Sequence, residues 1–297
     1  MAPMISILIP TYNREKDVEK AVLSCLLQDY QNIEIIVTDN SDNSATEKII
    51  KKINSDKVRY YKNSKNIGPI LNWRKAFEYS SGDWVLILPD DDYLINPFYL
   101  SDCVQIISEE KVDLIITDCI LGYPTYNLIG KSNNIGIKSS KDVLETFWQT
   151  SHIPTIANLF SKDVVKGLEF FYSNSILYSD IELWLKILNK SKYVYFYNVP
   201  SVYYTFHEQN IVKTMQIDSL ISNAIFIVSI FKNNPLMEKL YMQRYCLFVA
   251  SIYPNYGYDL VVKLSKEYKL GTLWLLTTIS TLNLRKVKKV IKWILKK

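Results

Sequence analysis

Short runs of apolar residues alternate with segments of helical spacing along the first part of the chain. The continuous apolar runs predict buried strands over residues 4–10, 33–38, 58–61, 84–88 and 112–117. Between them, apolar residues recur at helical spacing in 14–28, 44–53 and 70–80. This alternation predicts an α/β fold in which a mostly parallel central sheet is flanked by helices.

The second predicted helix begins with a capping signal. Ser44 opens the segment, and Glu47 follows three residues later. A serine and an acid at this spacing exchange hydrogen bonds with the first free backbone N–H groups of many helices. We therefore expect the Ser44 side chain to cap the helix 44–53.

Polar clusters follow three of the predicted strands. "PTYNR" comes after the first strand, "DNSDNS" after the second and "PDDD" after the fourth. Each cluster by itself is typical of a turn. Because ligands bind at the carboxyl ends of strands in such sheets, three clusters on one edge predict a binding site.

The last cluster contains three consecutive acids, Asp90, Asp91 and Asp92. Adjacent carboxylates repel one another, and a bound cation removes that cost. The chain has no G-x-G-x-x-G after its first strand and no G-x-x-x-x-G-K-[ST], so phosphates must be held in another way. Mg²⁺ and Mn²⁺ prefer oxygen ligands and often bind one or two carboxylates together with substrate phosphates. The acids therefore predict a Mn²⁺ or Mg²⁺ site.

These segments together resemble the family 2 glycosyltransferases, which have the GT-A fold, over about residues 4–210. The resemblance rests on "ISILIPTYNR", "IIVTDNSDN" and "NIGPILNWRKAFEYSSGDWVLILPDDD". Thr38 replaces an acid of the family pattern, and Asn40 replaces its glycine. Each motif is weak, but their order and spacing make the combination specific. The resemblance implies an inverting, metal-dependent enzyme that uses a nucleoside diphosphate sugar.

The resemblance also implies which residues bind the donor nucleotide. Asp39 corresponds to the acid that contacts the base, and as a carboxylate it can accept the imide N–H of uracil. Tyr12 or a neighbour could stack on the base. The implied donor-binding residues are Pro10, Thr11, Tyr12, Asn13, Arg14, Asp39, Asn66, Gly68, Asn72, Arg74 and Asp90.

The register of the acidic motif is ambiguous. A common family form is D-x-D-D, whose first acid would fall on Pro89 in this chain. Asp91 is then the expected metal ligand, with Asp92 beside it, while Asp90 faces either the ribose or the metal. The sequence leaves open which of the three acids binds the ion.

Two later segments complete the resemblance. "SDIELWLKIL" resembles a helix start whose acid is the catalytic base, which falls on Asp180, with Ser179 in place of the usual glutamate. "YYTFHEQN" resembles a segment whose histidine helps to hold metal or diphosphate, which falls on His207. One base and one metal-held leaving group imply a single displacement with inversion. Glu182 is the next candidate for the base. A glycosidase would instead need two carboxylates flanking the bond.

The remainder of the chain is predicted to be helical and ends in a basic stretch. Seven Lys or Arg and no acid lie between Arg285 and Lys297, so removing them from the net charge of +5 leaves −2 for the other residues. Charge concentrated in one terminal segment argues against a nucleic-acid binder. The apolar stripe Leu284, Val287, Ile291 and Ile294 predicts a basic amphipathic helix on an anionic membrane surface. The alternative is a helix packed on the catalytic domain.

We therefore predict a GT-A catalytic domain over 1–211 and a helical region over 212–297. The nucleotide-sugar part would cover about 1–120 and the acceptor part about 121–211. Four scattered cysteines, no signal sequence and no apolar span predict a cytoplasmic protein. The basic amphipathic end predicts its peripheral association with the inner face of the cell membrane.

The expected reaction is transfer from a UDP-sugar to a hydroxyl of a glycan or lipid-linked acceptor in bacterial surface polysaccharide synthesis. The alternative is a non-catalytic nucleotide-sugar-binding or scaffold subunit of a glycan assembly complex. A nucleotidyltransferase would usually show a Gly-rich basic segment after its first strand, which is absent here. The sequence does not define the sugar, the linkage or the oligomeric state.

Overall fold

The fold is described from a computed structural model of the chain. The described residues are 2–130, 132–147, 156–171, 179–206, 217–231, 234–252 and Lys263. The chain divides into two units, Met1–Asn210 and Ile211–Lys297. His207 and the basic stretch 285–297 lie outside the described residues.

The first unit contains one sheet and the helices around it. Its strands, numbered along the chain, are β1 Ile5–Thr11, β2 Ile33–Asp39, β3 Val58–Lys62, β4 Trp84–Ile87, β5 Tyr93–Leu94, β6 Leu114–Gly122, β7 Asn127–Gly130, β8 Gly136–Ser139, β9 Leu159–Ser161 and β10 Tyr193–Thr205. Its described helices are α1 Glu15–Leu26, α2 Ala45–Ile53, α3 Pro69–Tyr79, α4 Tyr99–Glu109, α5 Ser140–Thr146 and α6 Ser179–Lys190.

The amino-terminal half of the sheet is wholly parallel. Its strands lie in the order β3-β2-β1-β4, and each pairs in parallel with its neighbours. All seven residues of β1 and of β2 are buried, as expected for strands covered on both faces. The apolar residues at helical spacing in α1 form its buried face: Val18, Ala21, Val22 and Cys25 are fully buried. The predicted α/β fold is confirmed.

Antiparallel strands enter the sheet beyond β4. The order continues β4-β9-β6-β10-β5, with β9 antiparallel to both β4 and β6. The strand expected to end at Thr117 continues to Gly122. The polar residues that seemed to end it are buried and bonded: Thr117 Oγ1 donates to the Val199 carbonyl at 3.1 Å, and Asp118 Oδ1 accepts the N–H of Ser132 at 2.9 Å.

The predicted cap of α2 is wrong. The Ser44 side chain makes no capping hydrogen bond. Asn43 Oδ1 instead accepts the backbone N–H of Ala45 at 2.8 Å. Glu47, the expected partner of Ser44, pairs with Lys51 one turn along the helix at 2.6 Å. The side-chain amide of Asn43 therefore accepts a hydrogen bond at the start of α2, where the hydroxyl of Ser44 was expected to accept one.

The described part of the second unit is helical. It contains α7 Ile217–Ser229 and α8 Pro235–Ile252, within which Ala224, Tyr241 and Tyr245 are fully buried. None of the described helices combines the length and the apolar character needed to cross a bilayer.

Glu34 on β2 ties the amino end of the parallel strands to the segment before β4. Its Oε1 accepts hydrogen bonds from the hydroxyl of Ser6 and the backbone N–H of Ser81, both at 2.6 Å. Its Oε2 pairs with Arg59 at 2.7 Å. Burial disfavours ionisation of Glu34, but these hydrogen bonds outweigh it and hold the pKa of the carboxyl below its ordinary value. Glu34 is thus a structural carboxylate.

We predict that Glu34→Gln lowers the free energy of unfolding by about 1.5–3 kcal/mol at neutral pH. The NH₂ group of the new amide would face a donor whose hydrogen bond the carboxylate accepted. A carboxyl whose pKa is lowered by folding stabilises the native state above its unfolded pKa of roughly 4.3. That contribution is lost as the pH falls through the folded-state pKa. Urea unfolding from pH 7 to pH 3 should therefore show the difference between variant and wild type shrinking.

Glu47→Gln is the matched control, because Glu47 forms only an exposed pair with Lys51. It should leave the unfolding midpoint nearly unchanged. Equal effects of the two substitutions would contradict the role assigned to Glu34.

Candidate active site

The carboxyl ends of β1, β2 and β4 meet at one edge of the sheet, here called the carboxyl edge. Thr11 at the end of β1 donates its hydroxyl to Asp90 Oδ2 at 2.7 Å. The N–H of Asn40 donates to the Thr11 carbonyl at 3.0 Å, and that of Asn13 donates to Ser41 Oγ at 2.8 Å. The three polar clusters therefore lie together, as the alternation of strands and helices predicted.

The acids Asp90, Asp91 and Asp92 after β4, here called the acidic triplet, have different neighbours. Asp90 and Asp91 both accept hydrogen bonds from Arg14 Nη1, at 3.1 and 2.7 Å. Asp92 turns toward β10, where its Oδ1 accepts the backbone N–H of Thr205 at 2.8 Å. The triplet thus joins the loop after β1 to the end of β10.

Burial and mutual repulsion make the triplet difficult to ionise fully. The pKa of Asp90 is raised to about 6, first by burial and then by the charge of Asp91. Burial, followed by the same charge, raises the pKa of Asp92 well above its ordinary value. Burial alone would lower the pKa of Arg14. The charges and hydrogen bonds of Asp90 and Asp91 outweigh burial, so the pKa of the guanidinium is raised. Arg14 therefore balances part of the negative charge.

The triplet has the chemistry of a divalent cation site but does not complete one. Asp92 Oδ2 is buried and has no hydrogen-bond partner among the described residues, which is costly for an acceptor. Carboxylate oxygens suit Mn²⁺ and Mg²⁺. Within the described ranges, no three His, Cys, Asp or Glu side chains are grouped so as to hold an ion. An ion here would therefore need oxygens from a ligand as well.

Asp180 lies in the first turn of α6. Its charge and those of Asp91 and Asp92 act on the same residue, Tyr204 of β10, whose pKa is raised first by burial and then by the charges of Asp92, Asp91 and Asp180. Sequence reasoning missed Tyr204, although it lies three residues before His207 in the same quoted segment. His207 itself lies outside the described residues.

Glu182, the alternative candidate for the catalytic base, is buried in an ion pair. Its side chain is 1% exposed and forms an ion pair with Lys186, one turn later in α6. Burial raises the pKa of Glu182, although the lysine opposes the shift. A buried and paired carboxylate is poorly placed to take a proton from a substrate. The geometry therefore favours Asp180, which is only partly buried.

Asp39 is fully buried at the end of β2. Its Oδ1 accepts the N–H of Ser41, and its Oδ2 accepts the hydroxyl of Tyr60, both at 2.7 Å. A base that reached Asp39 would therefore have to displace Tyr60 or share its acceptor. Sequence reasoning missed Tyr60, since only the parallel register of β2 and β3 brings it to Asp39 from 21 residues away.

The loop after β1 presents an exposed aromatic ring. Tyr12 is 44% exposed, so a base could stack on its face. Pro10 is buried within β1, in register with Thr38. Asn13 has φ of 54°, a left-handed conformation that asparagine tolerates better than most residues. It is the last residue before Arg14, which binds the triplet.

Asn66, Gly68 and Asn72 shape the carboxyl edge from the start of α3. Asn66 Oδ1 accepts the N–H of Gly68 at 2.8 Å, and Gly68 has φ of 86°, which favours glycine. Asn72 is buried, and its Nδ2 donates to the carbonyls of Thr11 and Thr38 at 3.3 and 2.9 Å. These contacts hold the loops at the carboxyl edge in place.

Arg74 is directed away from the acidic triplet. Its Nε pairs with Glu78 and its Nη1 donates to the Phe170 carbonyl, both at 3.0 Å. It lines a cavity of ≈ 440 Å³ together with Asp83 and Lys162. Asp83 directly precedes β4, whereas the triplet follows it. This placement does not support the predicted donor contact of Arg74, whereas Arg14 does lie at the carboxyl edge.

Known bacterial glycosyltransferases resemble this chain over most of its length. The GalNAc(5)-diNAcBac-PP-undecaprenol beta-1,3-glucosyltransferase of Campylobacter jejuni is 25% identical over 276 residues, which cover 90% of this chain and 85% of that protein. The UDP-Glc:alpha-D-GlcNAc-diphosphoundecaprenol beta-1,3-glucosyltransferase WfaP of Escherichia coli is 27% identical over 206 residues, which cover 69% of this chain and 78% of that protein.

Solved structures share the fold. S. aureus TarS 1-349 in complex with UDP-GlcNAc has a TM-score of 0.72 and 16% identity, and the match covers 94% of this chain and 80% of that one. The mannosyltransferase PcManGT from Pyrobaculum calidifontis, in complex with GDP-Man and Mn²⁺, has a TM-score of 0.56 and 13% identity, covering 95% of this chain and 84% of that one. These likenesses confirm the GT-A architecture.

The family model described as glycosyl transferase family 2 matches residues 6–168, more than half of the chain. The match contains the loop after β1, Asp39 and the acidic triplet, and it ends before Asp180. The predicted family and enzyme class are confirmed: the chain belongs to glycosyl transferase family 2.

Proposed function

We propose that the protein transfers a sugar from a UDP-sugar to a hydroxyl of a lipid-linked glycan precursor, with inversion and with a divalent metal ion. The observation that carries this proposal is the meeting of the acidic triplet, Arg14 and the charge of Asp180 beside the carboxyl edge. The names of the two bacterial relatives support the acceptor class, since both act on undecaprenol-linked diphosphates. The name of the second supports a UDP-sugar donor.

The donor would lie along the carboxyl edge. Tyr12 would stack on the base, and Asp39 would accept its imide N–H in exchange for the hydroxyl of Tyr60. The diphosphate would then reach the acidic triplet and Arg14. A guanidinium already held by two carboxylates can transfer one of its hydrogen bonds to a phosphate oxygen.

Asp91 and Asp92 would hold the metal ion, with the missing ligands supplied by the diphosphate. Asp91 is the less buried of these two acids, and Asp92 Oδ2 is the buried acceptor that lacks a partner among the described residues. Mn²⁺ or Mg²⁺ would stabilise the negative charge that develops on the leaving diphosphate. His207 remains a proposed additional ligand.

Asp180 would act on the acceptor. Its carboxylate takes the proton of the acceptor hydroxyl as the oxygen attacks the anomeric carbon from the side opposite the diphosphate. The bond from that carbon to the diphosphate oxygen breaks, and UDP leaves. One displacement inverts the configuration.

We predict that Asp180→Asn lowers turnover by about 10²–10⁴-fold, because the amide cannot accept the proton in the transition state. UDP affinity, measured by titration calorimetry, should remain near the wild-type value since Asp180 does not bind the donor nucleotide. Glu182→Gln is the matched control and should retain turnover in the fraction that folds. The opposite pattern, with Asp180→Asn active and Glu182→Gln inactive, would transfer the role of base to Glu182.

UDP affinity is expected to rise with Mn²⁺, because the triplet holds an ion firmly only when diphosphate oxygens complete its ligands. Titrations of UDP in Mn²⁺ and in a chelator should differ for the wild type and converge for Asp91→Asn/Asp92→Asn. Identical UDP affinity in Mn²⁺ and in chelator would refute the metal role.

The basic segment 284–297 is proposed to bring the enzyme to the inner face of the membrane. A lysine or arginine near an anionic surface contributes about 1 kcal/mol, and salt screens this attraction. Deleting 284–297 should therefore reduce sedimentation with anionic vesicles at low salt and leave UDP affinity unchanged. Equal sedimentation of the truncated protein would show that the segment has no role at the surface.

A further inference from the structure

Exposed apolar side chains are concentrated in one part of the first unit. Tyr126, Leu128 and Ile129 are 55%, 50% and 53% exposed, and every residue from 124 to 129 is exposed. They belong to the hairpin formed by the end of β6 and the antiparallel strand β7, residues 119–130, here called the β6–β7 hairpin. Clusters of this kind on a soluble domain usually mark an interaction surface.

The shape of the β6–β7 hairpin favours a lipid surface over a protein partner. Leu128 and Ile129 are successive residues of β7, so their side chains point to opposite faces of the strand. Both are half exposed, which means that this edge strand presents apolar groups on both faces of the sheet. A protein partner usually covers one face, whereas the interfacial layer of a bilayer surrounds an inserted edge.

The charge pattern points the same way. Residues 119–130 contain no charged residue, although 22% of the whole chain is charged. Burying the hairpin tip in the headgroup layer therefore desolvates no ionised group. Between Asp118 and Asp142 the sequence has three lysines and no acid, which complements an anionic surface. Tyr126 at the tip is of the residue type enriched at membrane interfaces.

Stacked rings connect the hairpin to the reaction centre. Tyr123 stacks on Tyr126 with ring centroids 4.7 Å apart, and on Phe206 at 4.3 Å with an interplanar angle of 4°. Phe206 meets the edge of Tyr204, which lies within range of the charges of Asp91, Asp92 and Asp180. A continuous series of ring contacts therefore leads from the hairpin tip to Tyr204, which feels the charge of the proposed base.

The turn end of β6 is closely packed against β10. A Cβ atom on Gly122 would approach the ring of Tyr203 to 2.1 Å, so a larger residue here would have to displace that ring. The N–H of Phe206 donates to the Gly122 carbonyl at 2.9 Å. The start of the turn is thus fixed to the end of β10, where the N–H of Thr205 donates to Asp92 of the acidic triplet.

We propose that the tip of the β6–β7 hairpin inserts into the headgroup layer of an anionic bilayer and holds the acceptor entrance against the membrane. The insertion is shallow, because β7 lies at an edge of the described sheet and its outer backbone groups need water or headgroups as partners. The proposal rests on the proposed function in that a lipid-linked acceptor is presented at such a surface.

The test uses the full chain and vesicles of phosphatidylethanolamine and phosphatidylglycerol in equal parts. Leu128→Thr/Ile129→Thr removes the apolar groups while keeping residues that suit a strand. At high salt, where the attraction of basic residues is screened, this variant should partition into vesicles at least about tenfold less than the wild type. Leu27→Thr is the control, because Leu27 is 75% exposed at the end of α1 and should not affect partition.

A label gives a second readout. Ile129→Cys carrying an environment-sensitive fluorophore should shift to shorter wavelength on these vesicles, and wild type treated with the same reagent corrects for labelling of native cysteines. Unchanged partition of the double variant, or no shift at residue 129, would overturn the proposal. So would a wild-type dimer that the double variant converts to monomer without any change in vesicle binding, which would assign the surface to a second copy.

UDP titration separates this inference from the proposed function. The double variant should bind UDP as the wild type does, which also shows that it is folded. If UDP fails to bind either protein while the vesicle results hold, the proposed donor is wrong and the docking surface stands.

Discussion

Charge compensation in the acidic triplet is the constraint on which the rest of the catalytic unit depends. Two like charges 4 Å apart repel by about 4 kcal/mol at an effective dielectric constant of about 20. The fold offsets this by giving each acid a different partner: Thr11 for Asp90, Arg14 for Asp91 and the backbone of Thr205 for Asp92. These partners do not fully offset the cost of ionisation, because burial and then the charge of Asp91 still raise the pKa values of Asp90 and Asp92. A site that remains short of positive charge is suited to bind more of it.

The same contacts also join two parts of the sheet. In sheet order β4 and β10 are separated by β9 and β6, yet Asp92 and Thr205 bridge their ends directly. The neighbouring loops are held by neutral amides, since Asn63 Nδ2 donates to Asn40 Oδ1 and Asn72 Oδ1 at 2.9 and 2.8 Å. Amides fix the loops without adding charge to the ionisable groups of the carboxyl edge, which include the triplet, Arg14 and Asp39.

The parallel half of the sheet was predictable because its strands are buried on both faces and therefore continuously apolar. The other half was not, since β6 contains buried polar residues at Thr117 and Asp118 whose partners come from distant segments. The sequence predicted that the triplet and Arg14 lie at the same edge of the sheet, because the carboxyl ends of parallel strands meet there. The sequence could not show that Arg74 pairs with Glu78, because that depends on the direction of its side chain. Nor could it show that the hydroxyl of Tyr60 donates to Asp39, because that depends on the register of two strands.

An enzyme that concentrates carboxylates at its centre faces a difficulty at an anionic membrane, because the headgroups repel the site that must receive the acceptor. Docking of the β6–β7 hairpin, as proposed, would reduce this repulsion by geometry. The register of β10, β6 and β7 places Leu128 two strands away from Tyr204, through Leu121, which is about 10 Å at roughly 4.8 Å per strand. Electrostatic repulsion is screened over about 8 Å at physiological ionic strength. In the proposed arrangement, an uncharged edge of this width, joined through ring contacts to Tyr204, would separate the acidic triplet from the headgroups by a distance comparable to the screening length and so weaken their repulsion.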